Sequence, residues 1–292
     1  ARGVMMKLSW FADPIFKGDY PYAMKEILGD TLPSFNESEK KLLNGSSDFF
    51  GLNHYGTNFI EDNGLYAGSL SSTSRFNVTI ESAGTTWWLH SAGWGFRKIL
   101  NYINDVYIGG VNNKCRDEKM GIFVLENGWS VDASEEDDNR LYDSRRTNFY
   151  AEYISSMLDA IQTDGVPMIG YAGWSLADNL EWVGGYAERF GVLFTDYNWG
   201  RDQDAPHHRE HQPSLANNSK PKLSLKQSAC WFMKLWKHGA LSKDTKSKHA
   251  APVDTSDFSK NTDPTACLPT DFYYSLGRSF SEDPDPENRP EL

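Results

Sequence analysis

Three times along this chain a helical pattern is followed by a short apolar strand, and that alternation leaves few folds open. The first strand is read over residues 49–55, after a helix over 38–43 whose start is marked by Asn36 with Glu39 three residues on, a capping pair. The second covers 121–126, after a helix over 96–106 with Ile99, Ile103 and Val106 at helical spacing. The third covers 168–174. Before it, Tyr150, Ile154, Leu158 and Ile161 form one face of a helix over 147–163, which Gly165 and Pro167 stop. A last helix is expected over 220–237. Helices alternating with strands predict an α/β fold with a parallel sheet or barrel. Three β/α units cannot close a barrel of eight. The sheet is therefore either small and open, or part of a larger fold.

The 292 residues are 39% hydrophobic and 24% charged, enough apolar material for a buried core. A net charge of -11 argues against nucleic acid and anionic membrane as partners, and no run of about 18 apolar residues exists to span a bilayer. Ten Trp are present, many in short polar segments, where rings can stack on sugars as well as fill a core. Cys115, Cys230 and Cys267 are too widely spaced for a metal motif or a disulfide framework, and one must be unpaired within the chain. The opening ARGVMMKLSWF lacks the apolar stretch of a signal peptide and reads as mid-domain sequence. N-x-S/T sequons at Asn36, Asn44, Asn77 and Asn217 permit a secretory route, although about three would arise by chance. Composition separates a body over 1–242 from the residues that follow it. The acidic, Pro-containing tail over 243–292 is expected to be disordered, since residues 250–292 hold six Pro, nine acids and three bases.

Two segments carry chemistry. In GIFVLENGWS, residues 121–130, an apolar strand delivers Glu126 at its C-terminal tip, where parallel barrels place catalytic groups. Taken alone, a Glu before Asn-Gly is also an ordinary turn residue. In GYAGWSLADNLEWVGGYAERFGVLFTDY, residues 170–197, aromatic, amide and carboxylate side chains follow directly on a strand. Trp174, Glu181 and Trp182 there offer apolar faces and a bidentate acceptor for hydroxyl groups, which sugar recognition needs.

These segments resemble glycoside hydrolase family 1. Its strand-seven signature I-T-E-N-G is matched by V-L-E-N-G. Its strand-eight signature, G-Y-F-x-W-S-L-x-D-N-F-E-W through G-Y-x-x-R-F-G, is matched almost unbroken. WFADPIFKGDYP from Trp10, GSSDFFGLNHYGTNFI from Gly45, WWLHSAGWGFRKILNYI from Trp87 and KPKLSLKQSACWF from Lys220 extend the likeness over roughly residues 10–237. The resemblance implies the C-terminal part of a (β/α)8 TIM barrel, strands six to eight. It implies Glu126 as nucleophile, Tyr55 orienting it and Asn53 beside it. Trp174 becomes the floor under the sugar ring, Glu181 and Trp182 bind the outer hydroxyls, Phe190 closes the pocket and Trp88 faces the aglycone.

Three departures stand out. Leu125 replaces the usual Thr before the nucleophile, and strand alternation turns it away from Glu126. His54 stands where an aromatic is common and reads as a packing residue. The N-E-P motif bearing the family's general acid/base is absent, as are strands one to five. A retaining glycosidase needs two carboxyl groups about 5–5.5 Å apart. The resemblance assigns Glu181, the other carboxylate read on this face, to sugar binding, so the acid must come from a missing N-terminal half. The expected substrate is a neutral β-glucoside, with fucose or galactose tolerated, because 6-phospho-sugar relatives lack the Glu-Trp pair. No metal or organic cofactor is required. A non-catalytic sugar-binding or interaction protein retaining part of the fold is the alternative.

Overall fold

The computed structural model describes residues 7–59, 74–75, 78–79, 81–83, 86–109, 120–132, 141–196 and 222–238. Its centre is a three-stranded parallel sheet of β1 (Phe50–Asn53), β6 (Ile122–Glu126) and β8 (Met168–Tyr171), with β6 in the middle. Between β1 and β6 come β2 (Ser74–Arg75) and β3 (Val78–Thr79), paired antiparallel, and β4 (Glu81–Ala83) and β5 (Thr86–Ser91), likewise paired. Helix α4 (Gly93–Ile103) then leads back to the sheet. After β6 follow β7 (Val131–Asp132) and α5 (Ser144–Gln162). After β8 follow β9 (Glu188–Arg189), β10 (Leu193–Asp196), β11 (Lys222–Leu225) and α6 (Gln227–His238). Three short helices precede the sheet: α1 (Leu8–Lys17), α2 (Tyr22–Leu28) and α3 (Glu37–Leu43). No closed barrel forms among the described residues.

The sheet has one covered face. Phe50, Leu52, Ile122 and Val124 are buried in one core with Phe96, Leu100 and Ile103 of α4 and Phe149, Tyr150 and Tyr153 of α5. Burying each such side chain contributes roughly 1.5–3 kcal/mol. The opposite face is open: Leu125 is 44% and Ile169 51% exposed. Leu125 lies flat over Gly51, where an added Cβ would come within 2.8 Å of it.

The expected strand over 49–55 is Phe50–Asn53, that over 121–126 starts at Ile122, and that over 168–174 ends at Tyr171. The helix expected over 38–43 forms over Glu37–Leu43. The Asn36 side chain accepts from the Ser38 and Glu39 amides, and Glu39 accepts from the Asn36 amide. The helix expected over 96–106 starts earlier, at Gly93. Two glycines hide that start, and the Gly93 amide donates to Glu152 Oε1 of α5. It runs on as a π-turn over Asn104–Ile108. The helix expected over 147–163 starts at Ser144.

Two expectations are corrected. Residues 220–237 are not one helix: Lys222–Leu225 is a strand antiparallel to β10, and the helix starts at Gln227. Pro221 and the Leu223–Leu225 alternation favour the strand, and the ladder to Leu193–Asp196 supplies its backbone bonds. Cys230, buried in α6, is disulfide-bonded, which cysteine spacing did not suggest. The tail over 243–292, Cys115, Cys267, Asn77 and Asn217 lie outside the described residues.

Candidate active site

The C-terminal ends of β1, β6 and β8 are knitted together by their own backbone. The His54 amide donates to Glu126 O at 2.9 Å, the Ala172 amide to Val124 O at 2.8 Å and the Trp174 amide to Asn127 O at 2.7 Å. Asn127, fully buried, ties all three strands. Its Nδ2 donates to His54 O and its Oδ1 accepts from Tyr171 Oη, both at 2.7 Å. The chain passes so closely at Gly128 that an added Cβ would lie 2.0 Å from Trp174 O. Only glycine fits there, which accounts for the Asn-Gly after Glu126.

Tyr55, Glu126 and Trp174 are thereby brought to the same end of the sheet. The Tyr55 hydroxyl donates to Glu126 Oε2 at 2.6 Å. Burial, then the bond to Glu126, pushes the Tyr55 phenol well above its usual range, so it remains a donor at any ordinary pH. The Tyr55 ring meets Trp88 and Phe190 edge-on, with centroids at 5.9 and 5.8 Å, and Trp88 stacks on Phe190 at 6.3 Å and 18°. Phe190 is buried. Trp174 Nε1 donates to Glu181 Oε1 at 3.1 Å. Burial raises the pKa of Glu181; the bonds from Trp174 and Asn179 oppose it, and the charges of Glu188 and Glu126 add to it.

Two residues hold looser positions. Asn53 faces Glu126 in the β1–β6 ladder and is exposed. Trp182 is 89% exposed, at the start of a short 3₁₀ turn with Val183 and Gly184. Its φ of 46° lies in the left-handed region that non-glycine residues seldom occupy. His54 packs its ring on Phe96 and Tyr153, with centroids at 5.0 and 5.9 Å, in keeping with the packing role read for it. Burial holds its pKa down at about 4.

The loop carrying Glu181 is anchored from below by buried charges. Asp178 Oδ1 accepts from Lys226 Nζ at 2.7 Å and from the Gly191 amide at 2.9 Å. Arg146, with no exposed surface, pairs with Asp143 and donates to the carbonyls of Trp129, Arg189 and Gly191. Asp143 in turn accepts from the Ser228 amide and hydroxyl. None of these anchors was singled out from the sequence, because each acts through contacts remote along the chain. Glu188 was missed too, although it sits inside the G-Y-A-E-R-F-G run and its charge, like that of Glu126, acts on Glu181. Among the described residues no three His, Cys, Asp or Glu side chains gather as a metal ion would require, and no helix is long and apolar enough to cross a membrane.

The chain matches known proteins over most of its length. A family model described as Glycosyl hydrolase family 1 matches residues 1–238. Beta-glucosidase 1B of Phanerodontia chrysosporium is 35% identical over 263 residues, covering 87% of this chain and 46% of the relative. Beta-glucosidase 42 of Arabidopsis thaliana is 35% identical over 249 residues, covering 81% and 44%. Among solved structures, beta-glucosidase 2 of Trichoderma reesei in complex with Tris gives a TM-score of 0.66 at 33% identity, covering 82% of this chain and 48% of that one. The beta-glucosidase of Humicola insolens in complex with glucose gives 0.65 at 32% identity, covering 81% and 46%. The chain thus spans about half the length of the curated relatives it matches.

Proposed function

Since this chain belongs to glycosyl hydrolase family 1, we propose that it carries the nucleophile half of a retaining β-glycosidase acting on neutral β-glucosides. Glu126 attacks the anomeric carbon and the aglycone oxygen leaves, giving a glycosyl-enzyme. Water then releases the sugar. The strands β1, β6 and β8 serve as strands six to eight of a TIM barrel. Strands from a missing N-terminal half complete it and bring the acid/base that protonates the leaving oxygen. The 292 residues alone are then inactive. Nucleic acid and membrane are not partners in this reading, and no cofactor takes part.

The observation that carries the proposal is the 2.6 Å bond from Tyr55 to Glu126 at the strand tips. A permanent donor on one oxygen fixes the carboxylate's rotation and leaves the other oxygen to react. Trp174 forms the platform beneath the sugar, with Glu181 and Trp182 on its outer hydroxyls, Asn53 beside the nucleophile and Phe190 closing the wall. Trp88 faces the aglycone. The binding-only alternative predicts sugar affinity without turnover.

The test joins this chain to the N-terminal half of a family member that contains N-E-P. An activated 2-deoxy-2-fluoro-β-glucoside should label the product stoichiometrically on the peptide containing Glu126, and Glu126→Ala should abolish hydrolysis. Turnover that survives Glu126→Ala would refute the assignment.

A further inference from the structure

Glu188 has no part in the mechanism above, yet segments of the site meet on its carboxylate. Oε2 accepts from Thr86 Oγ1 and, at 2.5 Å, from Ser130 Oγ. Both donors are buried, 102 and 58 residues away in sequence. Thr86 opens β5 two residues before Trp88, and Ser130 lies four residues beyond Glu126. Glu188 itself stands on β9, opposite Asp132 of β7. Its Cγ lies against Gly184, in the turn that begins with Trp182; a Cβ there would come within 2.8 Å. Two hydroxyl donors on one carboxylate oxygen make charge-assisted bonds, stronger than neutral ones.

We propose that Glu188 is a positioning residue that latches the Trp88 strand to the segment following Glu126 and thereby sets aglycone selectivity. The inference rests on reading Trp88 as the aglycone-facing ring. In the two-step reaction the aglycone departs with the first step, and hydrolysis of the glycosyl-enzyme never sees it. A latch on Trp88 therefore governs which glucoside is accepted and leaves the second step alone. Trp88 also stacks on Phe190 and meets Tyr55 edge-on, so its ring reports directly on the strand that Thr86 tethers.

The experiment uses this chain joined to the N-terminal half that bears N-E-P, and compares kcat/KM on an aryl and an alkyl β-glucoside. Glu188→Ala should lower the aryl-to-alkyl ratio roughly three- to tenfold, the worth of one aromatic contact. The rise should be in KM, with kcat on a deglycosylation-limited aryl glucoside unchanged. Glu188→Gln, which keeps an acceptor, should recover part of the ratio. Thr86→Val removes the hydroxyl at constant volume and reads the same latch if Glu188→Ala does not fold. In parallel, 19F NMR with 5-fluorotryptophan follows Trp88, its resonance assigned by Trp88→Phe, and both variants should move it. Equal losses on the two glucosides, or an unmoved Trp88 resonance, would overturn the proposal. If the unmutated protein hydrolyses neither glucoside, the glycosidase reading fails, and the Trp88 resonance alone then decides whether the latch exists.

Discussion

Tyr55 and Glu126 stand 71 residues apart in sequence and share a hydrogen bond of 2.6 Å in which the phenol is the donor. Hydrogen bonds to a charged group contribute about 1.5–3 kcal/mol. Tyr55→Phe keeps the ring against Trp88 and Phe190 and removes only the hydroxyl. In the joined enzyme it should lower kcat roughly 10- to 100-fold with little change in KM. Steady-state kinetics on one aryl glucoside checks this; an unchanged kcat would mean the bond does not orient the reacting carboxylate.

Trp182 offers the opposite case, a large side chain with almost no protein contact. At 89% exposure its removal leaves no cavity. Trp182→Ala should alter the free energy of unfolding by no more than about 0.5 kcal/mol while weakening sugar binding. A melting curve and a glucose inhibition constant, taken together, separate the two effects. A loss of stability without a change in glucose binding would remove Trp182 from the sugar site.

His54 is neutral in the folded protein because burial holds its pKa near 4, against 6.5 for a free side chain. Between those values the unfolded chain binds the extra proton, so stability falls as pH drops from about 6.5 towards 4. The full effect is on the order of 3 kcal/mol. His54→Phe keeps an aromatic ring against Phe96 and Tyr153 and should flatten that part of the stability profile. Denaturant unfolding at a series of pH values measures it; an equally steep profile in the variant would assign the acid sensitivity elsewhere.

The uncovered face of the central sheet, the interior face on the barrel reading, bears on the chain's behaviour in solution. Leu125 and Ile169 stand exposed on a sheet whose two edge strands, β1 and β8, have no further partner among the described residues, a surface that invites association. The isolated chain should aggregate or remain partly unfolded, and Leu125→Ser with Ile169→Thr should reduce aggregation. Size-exclusion chromatography with light scattering reports the outcome. A well-behaved monomer with one cooperative unfolding transition would count against it.

How much of this was legible depended on whether a feature was local. The place of Glu126 at a strand tip could be read because an apolar strand ending in Glu-Asn-Gly carries its own boundaries, while the role proposed for it came from the family resemblance. The α3 cap could be read because Asn36 and Glu39 are three residues apart. The strand over Lys222–Leu225 could not, because Pro-Lys-Leu-Ser-Leu becomes a strand only where β10 offers a ladder. The clamp of Arg146 on Trp129, Arg189 and Gly191 rests on carbonyl groups, which have no sequence signature. Glu188 was hidden for a related reason: its partners are two hydroxyls from distant segments, and neither Thr86 nor Ser130 is unusual in its own neighbourhood. Exposure of Leu125 was hidden as well, since alternation gives a side chain's direction and not what waits there.

Because β6 is the middle strand, the strand that carries Glu126 is flanked by β1 and β8, and Glu126 itself is paired with Asn53 of β1. A carboxylate at a rim would depend on whatever protein docked next to it. This one does not, so in every molecule whose central sheet has folded its geometry exists before any other strand arrives. For that folded, monomeric fraction, mixing with a separately made N-terminal half should then give activity that appears at the speed of docking, second order in the two pieces, with no slower unimolecular lag for the nucleophile to find its place.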